Sequence, residues 1–106
     1  MAWLLLLIAG GLEVVWAFHM KQSEGFTRAA PTVITIVTMI ASFVLLSLSM
    51  RTLPLGTAYA IWTGIGAVGA FLVGVVFLGE HANATRILAA VLIVSGLILM
   101  KASSPS

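Results

Sequence analysis

Residues 2–20 read AWLLLLIAGGLEVVWAFHM, and this stretch decides the class of protein because it is apolar apart from Glu13 and His19. A helix needs roughly 20 apolar residues to cross the hydrocarbon core of a membrane. The apolar residues run continuously instead of alternating with polar ones, which argues against a transmembrane β-strand. The stretch is therefore predicted to form a membrane-spanning helix.

The composition of the whole chain indicates the same class. The 106 residues are 61% hydrophobic and 8% charged, whereas a soluble domain carries about a quarter charged residues. Apolar content this high also excludes intrinsic disorder. The net charge of +2 includes no basic cluster, so nucleic acid is not an expected partner. The absence of cysteine removes disulfides and thiolate chemistry.

Three more apolar segments follow the first, each after a short polar turn. The last of them has only the uncharged residues 87–100, but it can span if Arg86 and Lys101 extend their charged ends to the interfaces. Residues 1–106 are therefore expected to form one all-α transmembrane domain in the lipid bilayer. Its four helices are predicted at approximately 2–20, 30–50, 57–78 and 84–101.

The charges that flank the four spans give almost no bias in orientation. Arg51 and Lys101 would lie on one side of the membrane, with Lys21, Arg28 and Arg86 on the other, a division of two against three. A chain with so little bias can insert both ways, which predicts a dual-topology, antiparallel homodimer. The alternative is a single orientation fixed by the amino terminus or by the insertion machinery.

Small residues on the last span offer a surface for such a homodimer. Ala89 and Gly96 are seven residues apart and therefore share one face of a helix. Small residues on one face let helix backbones approach closely in lipid. The alternative is that they pack within a single chain.

Glu13 is the only acidic residue inside a predicted span. Moving a carboxylate into the bilayer interior costs several kcal/mol, so Glu13 is a candidate functional residue. Such a group can hold a proton or pair with a cation, but it cannot do both at once. This exclusivity favours proton-coupled cation exchange over the alternative, a structural glutamate that pairs with a neighbouring helix.

The residues around Glu13 suit a small cation site. Gly10 and Trp16 lie three residues to either side of it, and Tyr59 and Trp62 share a face of the third span. Aromatic faces attract cations, although Tyr59 could instead anchor its helix at the interface. The second span adds a stripe of hydroxyl groups that could orient the carboxylate, from Thr35, Thr38, Ser42 and Ser49.

The third span also carries a run of glycines at positions 64, 66, 69 and 74. Glycine eases both bending and close packing in a membrane helix. The run is consistent with a hinge that turns the site from one side of the membrane to the other, and equally with plain helix packing.

Three stretches together resemble the small multidrug resistance family, and the likeness covers nearly the whole chain. They are Glu13-Val14-Val15-Trp16, Ser23-Glu24-Gly25-Phe26-Thr27-Arg28 and Leu53-Pro54-Leu55-Gly56-Thr57-Ala58-Tyr59-Ala60-Ile61-Trp62-Thr63-Gly64-Ile65-Gly66. Within the family, Trp16 and the run that begins at Trp62 resemble the guanidinium-exporter subtype. The drug exporters of the family usually have a small residue at the position of Trp16.

The resemblance implies four-helix antiparallel homodimers that export cations in exchange for protons across the cell membrane of a prokaryote. It also implies that Glu13 binds proton and substrate alternately. The residues that would line the site are Gly10, which gives clearance, and Trp16, Ser42, Tyr59 and Trp62, which would also hydrogen-bond the glutamate. Guanidinium suits this site because its planar N–H donors match a carboxylate in a bidentate arrangement.

The leading hypothesis is therefore a proton-coupled antiporter of guanidinium and small substituted guanidinium cations. The alternatives are a quaternary-ammonium exporter, a passive cation channel and a non-transporting membrane protein that regulates a partner. The sequence has no Ser-His-Asp set, phosphate loop or cluster of metal ligands. We accordingly expect no enzymatic activity, cofactor or metal.

Overall fold

The computed structural model describes residues 2–103 and contains four helices in that range. They are α1 (Ala2–Gln22), α2 (Ala29–Ser49), α3 (Leu55–Phe77) and α4 (Ala84–Ser103). Each is long and apolar enough to cross a membrane, which confirms the predicted all-α class with four spans. Each helix ends within two residues of its predicted boundary. Met1 and residues 104–106 of the predicted domain lie outside the described residues.

The turn between α1 and α2 is organised by one buried serine. The Ser23 hydroxyl donates a hydrogen bond to the carbonyl oxygen of Met20 at 2.7 Å and accepts one from the backbone N–H of Phe26 at 3.1 Å. Residues 24–26 all have positive φ, at 51°, 74° and 68°. Because left-handed backbone is costly for residues other than glycine, the bonds around Ser23 stabilise this turn.

The starts of the last two helices follow simple capping rules. Pro54 precedes α3 with extended backbone at φ −60° and ψ 152°. Proline has no backbone N–H, but at this position no helical hydrogen bond is lost. The side chain of Asn83 accepts a hydrogen bond from the backbone N–H of Arg86 at 2.8 Å and so caps α4.

The four helices form a layer that is little more than one helix thick. The α1 helix lies between α2 and α3, and α4 packs mainly against α3. Lys101 of α4 also lies over the Trp3 ring of α1, 4.5 Å from its centroid. The molecule measures 43 × 34 × 16 Å, while a single helix with its side chains is about 10–12 Å across. The small apolar core joins the first three helices, and α4 has no buried residue. Both broad faces of the layer are therefore open in one chain.

Close approach of α1 and α3 depends on glycine. A Cβ atom on Gly10 would lie 2.5 Å from Cγ2 and 2.8 Å from Cβ of Ile65, and a Cβ on Gly69 would collide with Val14. The sequence predicted that Gly10 lines the site. The structure places Gly10 in this helix contact, where it sets the distance between the two backbones.

The glycine run of α3 packs against side chains along the whole helix. Gly64 faces Leu97, Gly66 faces Glu13, Gly69 faces Val14 and Gly74 faces Glu80. The α3 helix is continuous through all four glycines. Of the two interpretations of the run, the structure supports packing.

A chain of two hydrogen bonds ties three helices together. The indole N–H of Trp62 on α3 donates to the Ser42 hydroxyl on α2 at 3.0 Å, and that hydroxyl donates to the carbonyl oxygen of Ala9 on α1 at 2.7 Å. All three residues are buried. Because α2 and α3 otherwise touch little, Ser42 is the main polar link between them.

The Gly10→Ala substitution is expected to destabilise the fold by about 1–3 kcal/mol, because β-branched Ile65 is stiff and cannot yield to the added methyl group. The matched control is Gly11→Ala at the next position, where nothing lies within 4 Å. That change is expected to be neutral or slightly stabilising. Unfolding by SDS in mixed micelles measures both free energies, and equal losses would contradict the packing described here.

The Ser42→Ala substitution is expected to cost about 1–3 kcal/mol, because it leaves the buried indole N–H of Trp62 without an acceptor. Ser49→Ala is the control on the same helix, since the buried Ser49 hydroxyl bonds only to Leu46 of its own helix. Its cost should stay below about 1 kcal/mol. The same SDS titration, read by near-UV circular dichroism, compares the two. A Ser49 effect as large as that of Ser42 would argue against the inter-helix role.

Candidate functional site

Glu13 is the only one of the three acidic residues that lies in a membrane-spanning helix. It is half-buried near the middle of α1, and its side chain lies flat against α3 at Gly66. A Cβ atom at Gly66 would lie 2.8 Å from Cγ of Glu13 and would overlap its carboxyl group. With any other residue at position 66, the Glu13 side chain would have to leave this position.

One oxygen of this carboxyl group is buried without a partner. Glu13 Oε1 accepts no hydrogen bond from any part of residues 2–103. A buried polar atom without a partner is costly, and in native proteins such atoms commonly mark a functional site. The atom is therefore available to a proton or to a donor from a bound cation.

Four aromatic rings from three helices form a connected group. The Trp62 ring lies 5.7 Å from Phe43 and 5.6 Å from Tyr59 between centroids, and Phe43 lies 6.4 Å from Trp16. Trp62 is buried, whereas Tyr59 and Phe43 are about half exposed. This group offers several faces with the negative quadrupole that attracts cations.

The hydroxyl stripe of α2 does not act as the sequence predicted. Thr35, Thr38 and Ser49 each donate to a carbonyl oxygen of their own helix. Ser42 alone reaches another helix, and its proton goes to Ala9 and not to Glu13. These hydroxyls satisfy backbone acceptors within reach, which is the common behaviour of serine and threonine in helices. Orientation of the carboxylate by this stripe is therefore not seen in one chain.

The predicted site residues fall into two groups in one chain. Ser42 and Tyr59 each contact Trp62, and Trp16 is linked to Trp62 through Phe43. Glu13 and Gly10 lie in the contact between α1 and α3. No hydrogen bond joins Glu13 to the aromatic group among the described residues. The Nε1 atom of Trp16 is likewise buried without a partner in this part of the chain.

The sequence did not single out Phe43, which connects Trp16 to Trp62. A phenylalanine in an apolar span carries no signal of its own, because any lipid-facing or core position accepts it. The nearest available hint was its position next to Ser42. The role of Ala9 was equally hidden, since its contribution is a backbone carbonyl.

The chemistry that the arrangement supports is narrow. It has a single carboxyl group, an aromatic group and two buried polar atoms without partners. The described residues hold no group of three or more His, Cys, Asp or Glu side chains that could bind a metal ion. Glu13 is thus the only acidic side chain in the four described spans.

Known proteins are similar to this chain over nearly its entire length. Residues 1–103 match the family model described as Small Multidrug Resistance protein. Proteins named guanidinium exporter from Citrobacter freundii and Salmonella typhimurium are each 58% identical to this chain over 104 residues, which cover 98% of this chain and 99% of the relative. The guanidinium exporter of Yersinia pseudotuberculosis serotype I (strain IP32953) is 55% identical over 104 residues, 98% of this chain and 100% of its own.

The match over residues 1–103 includes all four spans and Glu13. The relatives are bacterial exporters. The chain is thus a multi-pass protein of a prokaryotic cell membrane, and it belongs to the small multidrug resistance family.

Proposed function

We propose that this protein exports guanidinium and small substituted guanidinium cations in exchange for protons. The observation that carries the proposal is the unpartnered Oε1 of Glu13, held inside a membrane helix against Gly66. The names of relatives that are 58% identical over nearly the whole chain support guanidinium as the cargo.

Exchange follows from the exclusive use of one carboxyl group. A protonated Glu13 has no charge with which to hold a cation, and a Glu13 paired with a cation cannot keep its proton. Guanidinium presents two parallel N–H donors to a carboxylate in a bidentate pair. The aromatic group of Trp16, Phe43, Tyr59 and Trp62 would stabilise the planar cation through its ring faces. Binding of either ligand therefore displaces the other.

A homodimer follows from the thickness of the layer. At 16 Å, one chain can cover the site on one side only, and a charge exposed to lipid is costly. A second copy over the open face would bury Glu13 and the aromatic group between the two chains. The near balance of flanking basic residues, two against three, favours two copies in opposite orientations.

The α4 helix offers the seam for this homodimer. It packs mainly against α3 and has no buried residue. Gly96 has nothing within 4 Å of the position of its missing Cβ, and Ala89 is exposed on the same helix. An open face with small residues permits close contact with a second α4. Two copies also bring two Glu13 carboxyl groups to one site, which gives two protons exchanged for each cation.

Transport by wild-type protein in proteoliposomes tests the proposal. An outward guanidinium gradient is expected to drive protons inward, with the internal pH read by a trapped fluorescent dye. Glu13→Gln should abolish this proton movement, because the amide keeps the shape of the side chain but neither ionises nor binds a proton near neutral pH. Glu24→Gln is the matched control, since Glu24 lies in the turn between α1 and α2, and it should move protons at close to the wild-type rate.

Each other function gives a different result in the same assay. A quaternary-ammonium exporter would move protons with a quaternary ammonium gradient and not with guanidinium. A channel would pass guanidinium without protons. A regulatory protein would pass neither, and Glu13→Gln would leave its cellular function intact.

The antiparallel arrangement is testable because the chain has no native cysteine. The Ala82→Cys substitution places a single thiol in the exposed turn between α3 and α4. A membrane-impermeant maleimide on intact cells is expected to label about half of the copies, since the flanking charges barely favour either orientation. Permeabilised cells should show full labelling. Labelling of all copies or none before permeabilisation would contradict dual topology.

A further inference from the structure

A second feature that binds cations lies at the end of the bundle where α1 meets the turn before α4. A cavity of about 330 Å³ opens there between α1 and α3. Its inner wall includes Val14 and Ala67, which directly follow Glu13 and its seat Gly66 in the sequence. Its outer wall carries three charged residues, Lys21, Glu80 and Arg86. The cavity thus extends along α1 from Lys21 to the helical turn that contains Glu13, although Glu13 and Gly66 do not themselves line it.

The cavity already contains a guanidinium group, that of Arg86. The Cζ atom of Arg86 lies 5.2 Å from the ring centroid of Phe71, which is within the range of a cation–π contact. Its Nη1 donates a hydrogen bond to the carbonyl oxygen of His81 at 2.9 Å. Both Phe71 and Arg86 line this cavity, and both also line a neighbouring cavity of about 220 Å³ between α3 and α4. The ring of Phe71 therefore contacts a guanidinium group, the chemical group for whose export the relatives are named.

Glu80 supplies a fixed negative charge in the same wall. Its backbone N–H donates to the carbonyl oxygen of Gly74 at 3.0 Å. Its carboxyl group packs against Gly74, so that a Cβ atom added to Gly74 would lie only 2.8 Å from Cδ of Glu80. No hydrogen bond or ion pair joins the Glu80 carboxylate to another described side chain. The Glu80 side chain thus packs against Gly74 in the same way that the Glu13 side chain packs against Gly66.

We propose that Phe71 and Glu80 form a vestibular guanidinium site on the route to Glu13, which the side chain of Arg86 occupies until a guanidinium cation displaces it. The inference rests on the proposed function and adds a second cation site to it. Without Glu80, the two cations Lys21 and Arg86 would repel incoming cargo from this cavity. With Glu80, a cation has both a carboxylate and a ring face before it reaches Glu13.

The proposal predicts changes in the KM for guanidinium, measured as proton movement in proteoliposomes. Glu80→Gln and Phe71→Leu should each raise KM about two- to fivefold, the range of an exposed cation–π or ion-pair contact. Arg86→Gln should lower KM by a similar factor, because it removes the internal occupant. The rate at saturating guanidinium should change little, since Glu13 still carries the exchange.

Lys21→Gln is the matched control for charge. It removes a positive charge from the same cavity wall but leaves the guanidinium group of Arg86 over the Phe71 ring. A drop in KM for Arg86→Gln but not for Lys21→Gln supports displacement of an internal occupant. Equal drops would mean a general charge effect and would overturn the proposal. Unchanged KM in Glu80→Gln and Phe71→Leu would overturn it as well, while failure of wild type to transport guanidinium would instead overturn the proposed function.

A direct measurement avoids dependence on transport. In Glu13→Gln protein with ¹⁵N-labelled arginine, guanidinium chloride is expected to shift the side-chain signal of Arg86, assigned by its loss in Arg86→Gln. Sodium chloride at the same concentration is the control for ionic strength. A shift that guanidinium alone produces, and that Phe71→Leu removes, supports the vestibular site. An equal shift with sodium chloride would overturn it.

Discussion

The close contact between α1 and α3 is the constraint on which the rest of the molecule depends. At three levels along this contact a glycine faces a larger side chain: Gly10 against Ile65, Gly66 against Glu13 and Gly69 against Val14. Without these glycines the helices would stand further apart, and the carboxyl group would have no seat inside the spans. Packing in lipid favours small residues because backbones can then approach closely. The same contact that holds the helices together therefore positions the functional group.

The hydrogen bonds of the bundle leave that group unsatisfied. The one hydroxyl that crosses between helices, on Ser42, accepts from Trp62 and donates to Ala9. With these donors committed to structural bonds, Glu13 Oε1 has no partner among the described residues. A structural glutamate would be expected to have one, because buried polar atoms are nearly always paired. Among the described residues, Glu13 Oε1 shares this lack of a partner only with the indole nitrogens of Trp3 and Trp16.

The same physical device occurs at two depths of the molecule. Glu13 and Glu80 both lie against a glycine of α3, at Gly66 and Gly74. The same helix also carries two aromatic residues, Trp62 within the group of four rings and Phe71 against the guanidinium group of Arg86. A carboxylate together with a ring face suits a planar cation better than either feature alone. Both carboxyl groups thus pack against the same helix, α3.

The sequence by itself determined the class, the four spans and the identity of the central carboxyl residue. Hydrophobic length fixes the spans because each must match the bilayer, and Glu13 is recognisable because a lone acid in a span is costly. Composition could not decide which partners each polar group takes, and in one chain the hydroxyl groups of α2 donate to backbone carbonyl oxygens and not to Glu13. Phe43 gave no signal, and Gly10 proved to set a backbone distance. Only the tertiary structure decided these roles, because they depend on which side chains meet across helices that are distant in sequence.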